Sequence, residues 1–261
     1  MDRPLSGRCA LVTGSTSGIG LATAERLAAL GCDVVLSGLG AGDAVSAARE
    51  RVARHGGRVV YSDANLADPA RIQHLVTMAL ETFGTVHILV NNAVVRHTAA
   101  VEAFTREQWD EAIAVNLSAA FHTIRLALPS MKAKGWGRIV NVSSIYGMRG
   151  APNRVGYVTA KTALIGLTRA VAMETVGRNI TCNAVCPGTV DTPVHQATIA
   201  SIVSANVSRE DAVRQFMRGK QPTGRLITPE SVADVIAFLC GPGTEHITGA
   251  ALPIDDGWSA G

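Results

Sequence analysis

The chain has 261 residues, of which 47% are hydrophobic and 17% charged. That apolar share excludes a disordered protein, and a chain this long buries enough surface to need no disulfide staples. The net charge of +3 comes with no long basic run, which argues against electrostatic nucleic-acid binding. Glycine is in excess, with 26 residues, and where those residues sit becomes the question.

Cys9-Ala10-Leu11-Val12-Thr13 is a short apolar run that ends at Gly14 and predicts a first strand. Similar runs recur at 33–37, 58–61, 86–90, 138–142, 180–185 and 250–254. They are continuous rather than alternating, as strands covered on both faces are. Helices are predicted between them. Over 19–30, Leu21, Ala24, Leu27 and Ala28 share one face, and Gly31 follows as a C-cap. A helix over 69–83 opens with Asp68 as N-cap and Pro69 in first position. A helix over 105–115 begins on a Thr-x-x-Gln box. Residues 157–176 are long and apolar, and Thr228-Pro229-Glu230 starts a helix ending near Cys240-Gly241-Pro242.

This alternation predicts an α/β fold: a single-domain, doubly wound parallel sheet of Rossmann type with helices on both faces. No repeat, linker or composition break divides the chain. Residues 191–225 follow a strand with helical but weakly apolar patterning, and are expected to form a helical flap over a substrate. Five cysteines form no C-x-x-C pair, and no His lies at metal-ligand spacing. Buried reduced thiols, no metal and a cytoplasmic protein are the expectation. No signal-like apolar region precedes Gly14, and no stretch reaches the ~18 uncharged apolar residues of a membrane span.

Gly14, Ser15, Thr16, Ser17, Gly18, Ile19 and Gly20 follow the first strand and open the first helix. Glycine there permits a tight turn and close approach of backbone to a pyrophosphate. The helix start offers free N–H groups and partial positive charge. The spacing is G-x-x-x-G-x-G, and its context predicts dinucleotide binding. The second strand runs into Gly38 and Leu39, with neither an acidic residue for a ribose hydroxyl nor a cation for a 2′-phosphate. NAD is therefore expected over NADP. Asp63 and Asn65 are either adenine contacts or turn and cap residues.

Tyr157 and Lys161 are four apart on a helix and share a face. Ser144 lies just past a strand's C-terminal end, where open α/β sheets bind ligands. Removing an alcohol proton needs a base, and an ordinary tyrosine pKa of about 10 makes a poor one. A nearby ammonium favours the phenolate, and a serine hydroxyl can support the substrate oxygen.

These residues, with Asn91-Asn92-Ala93, Asn116 and Pro187-Gly188, resemble the short-chain dehydrogenase/reductase family over nearly the whole chain. The resemblance implies Tyr157 as base, Lys161 as ribose holder, Ser144 as substrate stabiliser and Asn116 as support for a proton-relay water. It adds Asn92, Ala93, Pro187, Gly188 and Val190 to the cofactor set, and implies a homotetramer. Segments such as 116–123, 135–139 and 247–253 resemble bacterial D-3-hydroxybutyrate dehydrogenases more closely, which implies NAD.

Two departures stand out. Val94 replaces the glycine of the family's Asn-Asn-Ala-Gly, adding bulk beside the cofactor. At positions where the hydroxybutyrate enzymes hold a carboxylate with Gln, His and Lys, this chain carries Arg96, Tyr146 and Arg154. Thr189 replaces a Trp, while Gln196 is retained beside His195. Two guanidiniums suit an anion, although each can instead be a solvated surface charge. The sequence therefore points to an NAD-dependent oxidation of a small anionic hydroxy acid, or reduction of its keto acid. An NADPH-dependent 3-oxoacyl reductase and an inactive nucleotide-binding regulator are the alternatives.

Overall fold

The computed structural model describes residues 3–40 and 42–260. Among them, seven strands form one parallel sheet in the order β3-β2-β1-β4-β5-β6-β7. They are β1 (Cys9–Thr13), β2 (Asp33–Ser37), β3 (Val59–Ser62), β4 (Ile88–Asn91), β5 (Gly137–Val142), β6 (Ile180–Pro187) and β7 (Ala251–Ile254). The chain winds outward from β1 to β3, then returns to place β4 on the other side of β1. That reversal opens a crevice at the strands' C-terminal ends, where such sheets bind ligands.

Continuous apolar runs make sense because both faces are covered. One apolar layer joins α1 (Gly18–Ala29), α2 (Gly42–Ala53) and α9 (Pro229–Cys240) to the sheet through Leu27, Val52 and Ile236. The opposite layer joins α3 (Pro69–Phe83), α5 (Ala119–Lys134) and α6 (Val155–Thr175) through Leu75, Met131 and Val171. The caps form as expected. Asp68 accepts from the Ala70 amide at 2.8 Å, and Thr105 and Gln108 close a reciprocal box. Gly31 takes a left-handed φ of +106° just past α1.

Three elements differ from the sequence reading. The helix expected to end at 115 does not end there. α4 (Arg106–Ile113) passes through one π-helical turn, Ala114–Ser118, into α5. Asn116 therefore sits inside a continuous helix rather than at its end. This Arg106–Lys134 helix is long and apolar enough to cross a bilayer. It is instead a core helix, with α5 packed against α3 and β5 and α4 against α6. α2 was not anticipated, because it buries only Val45, Ala48 and Val52 on an otherwise polar sequence. The sixth strand extends two residues further, to Pro187, because β7 pairs with it to the end.

The stretch after β6 carries α7 (Pro193–Ile202) and α8 (Arg209–Met217), both largely exposed. All five cysteines are free and buried, and burial raises the Cys32 and Cys182 thiols to about 12.

Candidate active site

The crevice at the β1–β4 reversal is a cleft of about 350 Å³ walled by the glycine turn, the end of β2 and the segment after β4. Its shape depends on missing side chains. A Cβ on Gly14, where φ is +63°, would lie 2.8 Å from the Ala93 Cα. A Cβ on Gly20 would lie 2.2 Å from the Gly14 carbonyl oxygen. The segment after β4 is tied to the same turn. Asn92 Nδ2 donates to the carbonyls of Thr13 and Gly14, both at 2.9 Å, and the Asn92 and Ala93 amides donate to Thr13 Oγ1.

The predicted cofactor residues divide. Gly14, Thr16, Ser17, Gly18, Ile19, Gly38, Asn65, Asn92 and Ala93 wall the cleft. Ser15 does not: it is buried, donates to the Val12 carbonyl at 2.8 Å and accepts from the Ser37 amide, tying the turn to β2. Gly20 packs against the turn from behind. Asp63 faces outward and pairs with Arg71 at 2.8 Å. Val94 lines the cleft 39% exposed and is not among the residues with positive φ. Its backbone is thus unstrained, and its consequence is bulk alone.

A smaller cavity of about 50 Å³ shares Ile19, Asn92, Val94, Arg96 and Thr192 with the cleft. It brings Ser144, Tyr157 and Lys161 together with Pro187, Gly188, Val190 and His195. Ser144 stands in extended backbone after β5, and its Oγ accepts from the Tyr146 amide at 3.1 Å. Ser143 Oγ donates to the Lys161 carbonyl at 2.8 Å, which fastens this loop to α6. Lys161 Nζ donates to the Val142 carbonyl at 2.7 Å and lies 5.8 Å from the Tyr157 ring centre. An ammonium has three N–H groups, so two remain for other partners.

Burial pushes the Tyr157 phenol up. Lys161 and Arg96 outweigh it, with hydrogen bonding from Ser144 and Arg96, so the phenol lies below its ordinary range. Lys161 is pushed down by burial, and Tyr157 counters that shift. Each group therefore favours the charged form of the other against the cost of burial.

Asn116 acts on this site through the backbone. Its Oδ1 accepts from the Val95 amide at 2.8 Å, and its Nδ2 donates to the Val95 carbonyl at 3.0 Å. That fixes the residue before Arg96, whose guanidinium carbon lies 5.7 Å from the Tyr157 ring centre.

The other predicted substrate residues are less uniform. Tyr146 stacks edge-on against Trp258 at 5.6 Å, and Arg154 stands at the N-terminus of α6, three residues before Tyr157. Thr189 is buried, and its backbone is held from both sides by the Gln221 side chain. Gln196 is engaged by Asp191 and Arg209, so it braces α7 against α8. His195 Nδ1 donates to the Val190 carbonyl at 2.6 Å. His97 pairs with Glu111 at 2.8 Å, outside the reacting group.

Two residues were missed. Thr192 walls both cavities, and its Oγ1 is buried with no partner among the described residues. A hydroxyl residue soon after Pro187-Gly188 was the available signal. Lys220 is half-buried with its Nζ 3.3 Å from the Phe216 ring centre, and Phe216 in turn contacts His195.

A glycine cradle, a clamped Asn-Asn-Ala segment and a buried Ser, Tyr and Lys define an oxidoreductase of the short-chain dehydrogenase/reductase family, and the chain belongs to it. The family model described as enoyl-(acyl carrier protein) reductase matches residues 14–259. The chain is 43% identical to the D-beta-hydroxybutyrate dehydrogenase of Cupriavidus necator, over 98% of this chain and 99% of that protein. It is 42% identical to the enzyme of the same name from Rhizobium meliloti, over 97% and 99%. Among solved structures, levodione reductase superposes with a TM-score of 0.89 at 31% identity, covering 98% of this chain and 99% of that one. Like its relatives, the chain is a dehydrogenase or reductase acting on CH–OH groups, with a nicotinamide nucleotide as cofactor.

Proposed function

We propose that the protein is an NAD-dependent dehydrogenase that interconverts the secondary alcohol of a small anionic hydroxy acid, of the 3-hydroxy acid type, with its ketone. The observation that carries the reading is the position of Arg96, a cation facing the same cavity as Ser144 and Tyr157. It is the place where a carboxylate attached to the reacting carbon skeleton would be neutralised.

The cradle fits a dinucleotide. Gly14 and Gly20 leave room that a Cβ would fill, and the orphaned Thr192 hydroxyl offers a hydrogen bond to a polar group in the cleft. No cation walls the Gly38–Leu39 end of the cleft among the described residues, which favours NAD over NADP. The backbone amides of the turn and the N-terminus of α1 would hold the phosphates. Lys161, with two N–H groups left, would hold ribose hydroxyls.

A bound nicotinamide would supply the hydride acceptor for the alcohol, or the hydride donor for the ketone. The chain's own residues manage the proton and the charge. Tyr157 Oη takes the hydroxyl proton, and its lowered pKa makes the phenolate available nearer neutral pH. Ser144 Oγ supports the substrate oxygen as its charge changes. Asn116 positions the Val95–Arg96 backbone. Residues 191–225, carrying α7 and α8, act as a flap that shields the reaction from water. The NAD-like resemblance, a homotetramer and a cytoplasmic location belong to the same proposal, supported by family likeness and by buried free thiols.

An NADPH-dependent 3-oxoacyl reductase is disfavoured by the missing 2′-phosphate cation. An inactive regulator is disfavoured by the buried Ser144, Tyr157 and Lys161. A panel of hydroxy acids, hydroxysulfonates and neutral alcohols, followed by NADH absorbance, tests the reading. Turnover confined to anionic alcohols with NAD supports it, and turnover of neutral alcohols alone refutes it.

A further inference from the structure

One carboxylate needs one cation, and this site gathers three. Arg96 comes from the segment after β4, Arg154 from the start of α6, and Lys220 from the turn after α8. Arg96 and His195 line the cavity that holds Tyr157. From His195 the wall continues outward. The Phe216 ring lies 5.5 Å from the His195 ring, and Lys220 Nζ caps Phe216 at 3.3 Å. Arg154 is the N-cap residue of α6, three residues before Tyr157. Among the described residues, none of the three forms an ion pair with a carboxylate, although eight such pairs occur elsewhere.

Arg154 acts on Lys220, and all three cations act on His195. Burial and then Arg154 lower the Lys220 ammonium to about 8. His195 is lowered by burial, with Arg96, Lys220 and Arg154 all adding to the shift. Uncompensated like charge in a partly buried wall is unfavourable unless a ligand answers it.

Building on the anionic-substrate reading, we propose that the substrate is a dianion: a hydroxy acid whose second negative group is received by Lys220 with Arg154. Arg96 then serves the carboxylate beside the reacting carbon, and Lys220 sets how many charges the pocket accepts. The charged and titratable groups coupled to Lys220 are Arg154, at the start of α6, and His195 on α7. A bound dianion favours the ammonium, so affinity is present below about pH 8 and falls as pH rises through that value.

The test uses unreactive analogues, so that it does not depend on turnover. Butyrate, glutarate and 4-sulfobutyrate are titrated by calorimetry into the intact protein, alone and with NADH. Glutarate or 4-sulfobutyrate should bind at least about tenfold more tightly than butyrate at pH 7. The better of the two identifies the second group as carboxylate or sulfonate. K220M should cost the dianion at least about tenfold more affinity than it costs butyrate. In the wild type, dianion affinity should fall between pH 7 and 9.5 relative to butyrate, and K220R should remove that fall. Equal binding of butyrate and both dianions overturns the proposal. So does a K220M loss of the same size for all three ligands, or a pH dependence that K220R leaves intact. If these titrations succeed while no hydroxy acid is oxidised, the dianion site stands and the reaction assignment fails.

Discussion

The two sides of this site are built differently. On the nucleotide side the backbone sets the geometry. Gly14 and Gly20 have no room for a Cβ, and the Asn92 side chain is spent on the carbonyls of the turn. On the substrate side, long side chains from separate stretches meet. Arg96, Arg154, His195 and Lys220 lie on four different parts of the chain, and α7 and α8, which carry or flank two of them, are mostly exposed. The first side tolerates little change. The second can be re-dressed without touching the sheet. One scaffold can therefore keep its cofactor while its substrate changes.

Substitutions on either side can break or sharpen that contrast. The largest effect is expected where the sides meet. Tyr157→Phe should lower turnover by about 10²–10⁴-fold while NADH binding, read by fluorescence titration, stays close to wild type. A rate within tenfold of wild type removes Tyr157 from its role. Gly20→Ala comes next. Its Cβ has no space, so thermal unfolding should show a loss of about 3 kcal/mol or more, with weaker NADH binding. Stability equal to wild type would show that the cradle is looser than these contacts imply.

On the substrate side, Arg96→Gln should raise KM for an anionic alcohol by about 10-fold or more and leave a neutral alcohol nearly unaffected. It should also move the pH profile. Oxidation needs the phenolate, so activity is lost as pH falls through the Tyr157 pKa. Arg96 helps hold that pKa below its ordinary value. Removing it should shift the acidic limb of kcat/KM to higher pH. An unmoved limb would confine Arg96 to substrate binding. The smallest effect belongs to Val94→Gly. Because Val94 is not at positive φ, the affinity for NADH should change by less than about threefold. A larger change would mean that its bulk shapes the cofactor.

The same contrast explains what could be read from the sequence. The strands and the glycine turn are local: β-branched runs, a Gly at each sharp approach, side-chain caps at the starts of α3, α4 and α9. The Ser144, Tyr157 and Lys161 group was legible because strand end and helical spacing place it. α2 escaped because its buried face is only Val45, Ala48 and Val52. The continuity of α4 into α5 escaped because a π-helical turn shifts the phase of the apolar face at 114–118. The partners of the Ser15 and Asp63 side chains were not legible: one ties the turn to the first strand, and the other, left open between adenine contact and turn residue, pairs with Arg71. Lys220 carried no local signal, since only the path of the chain through α8 sets it beside His195.

If a nucleotide-binding scaffold of fixed geometry presents a cationic substrate wall to Tyr157, the charge of the alcohol decides its turnover. The most direct measurement is kcat/KM with NAD for 3-hydroxybutyrate against 2-butanol, which share the secondary alcohol and differ in the carboxylate. The acid should exceed the neutral alcohol by about 100-fold or more, the scale of two charge-assisted contacts. Equal values, or a preference for 2-butanol, would contradict it.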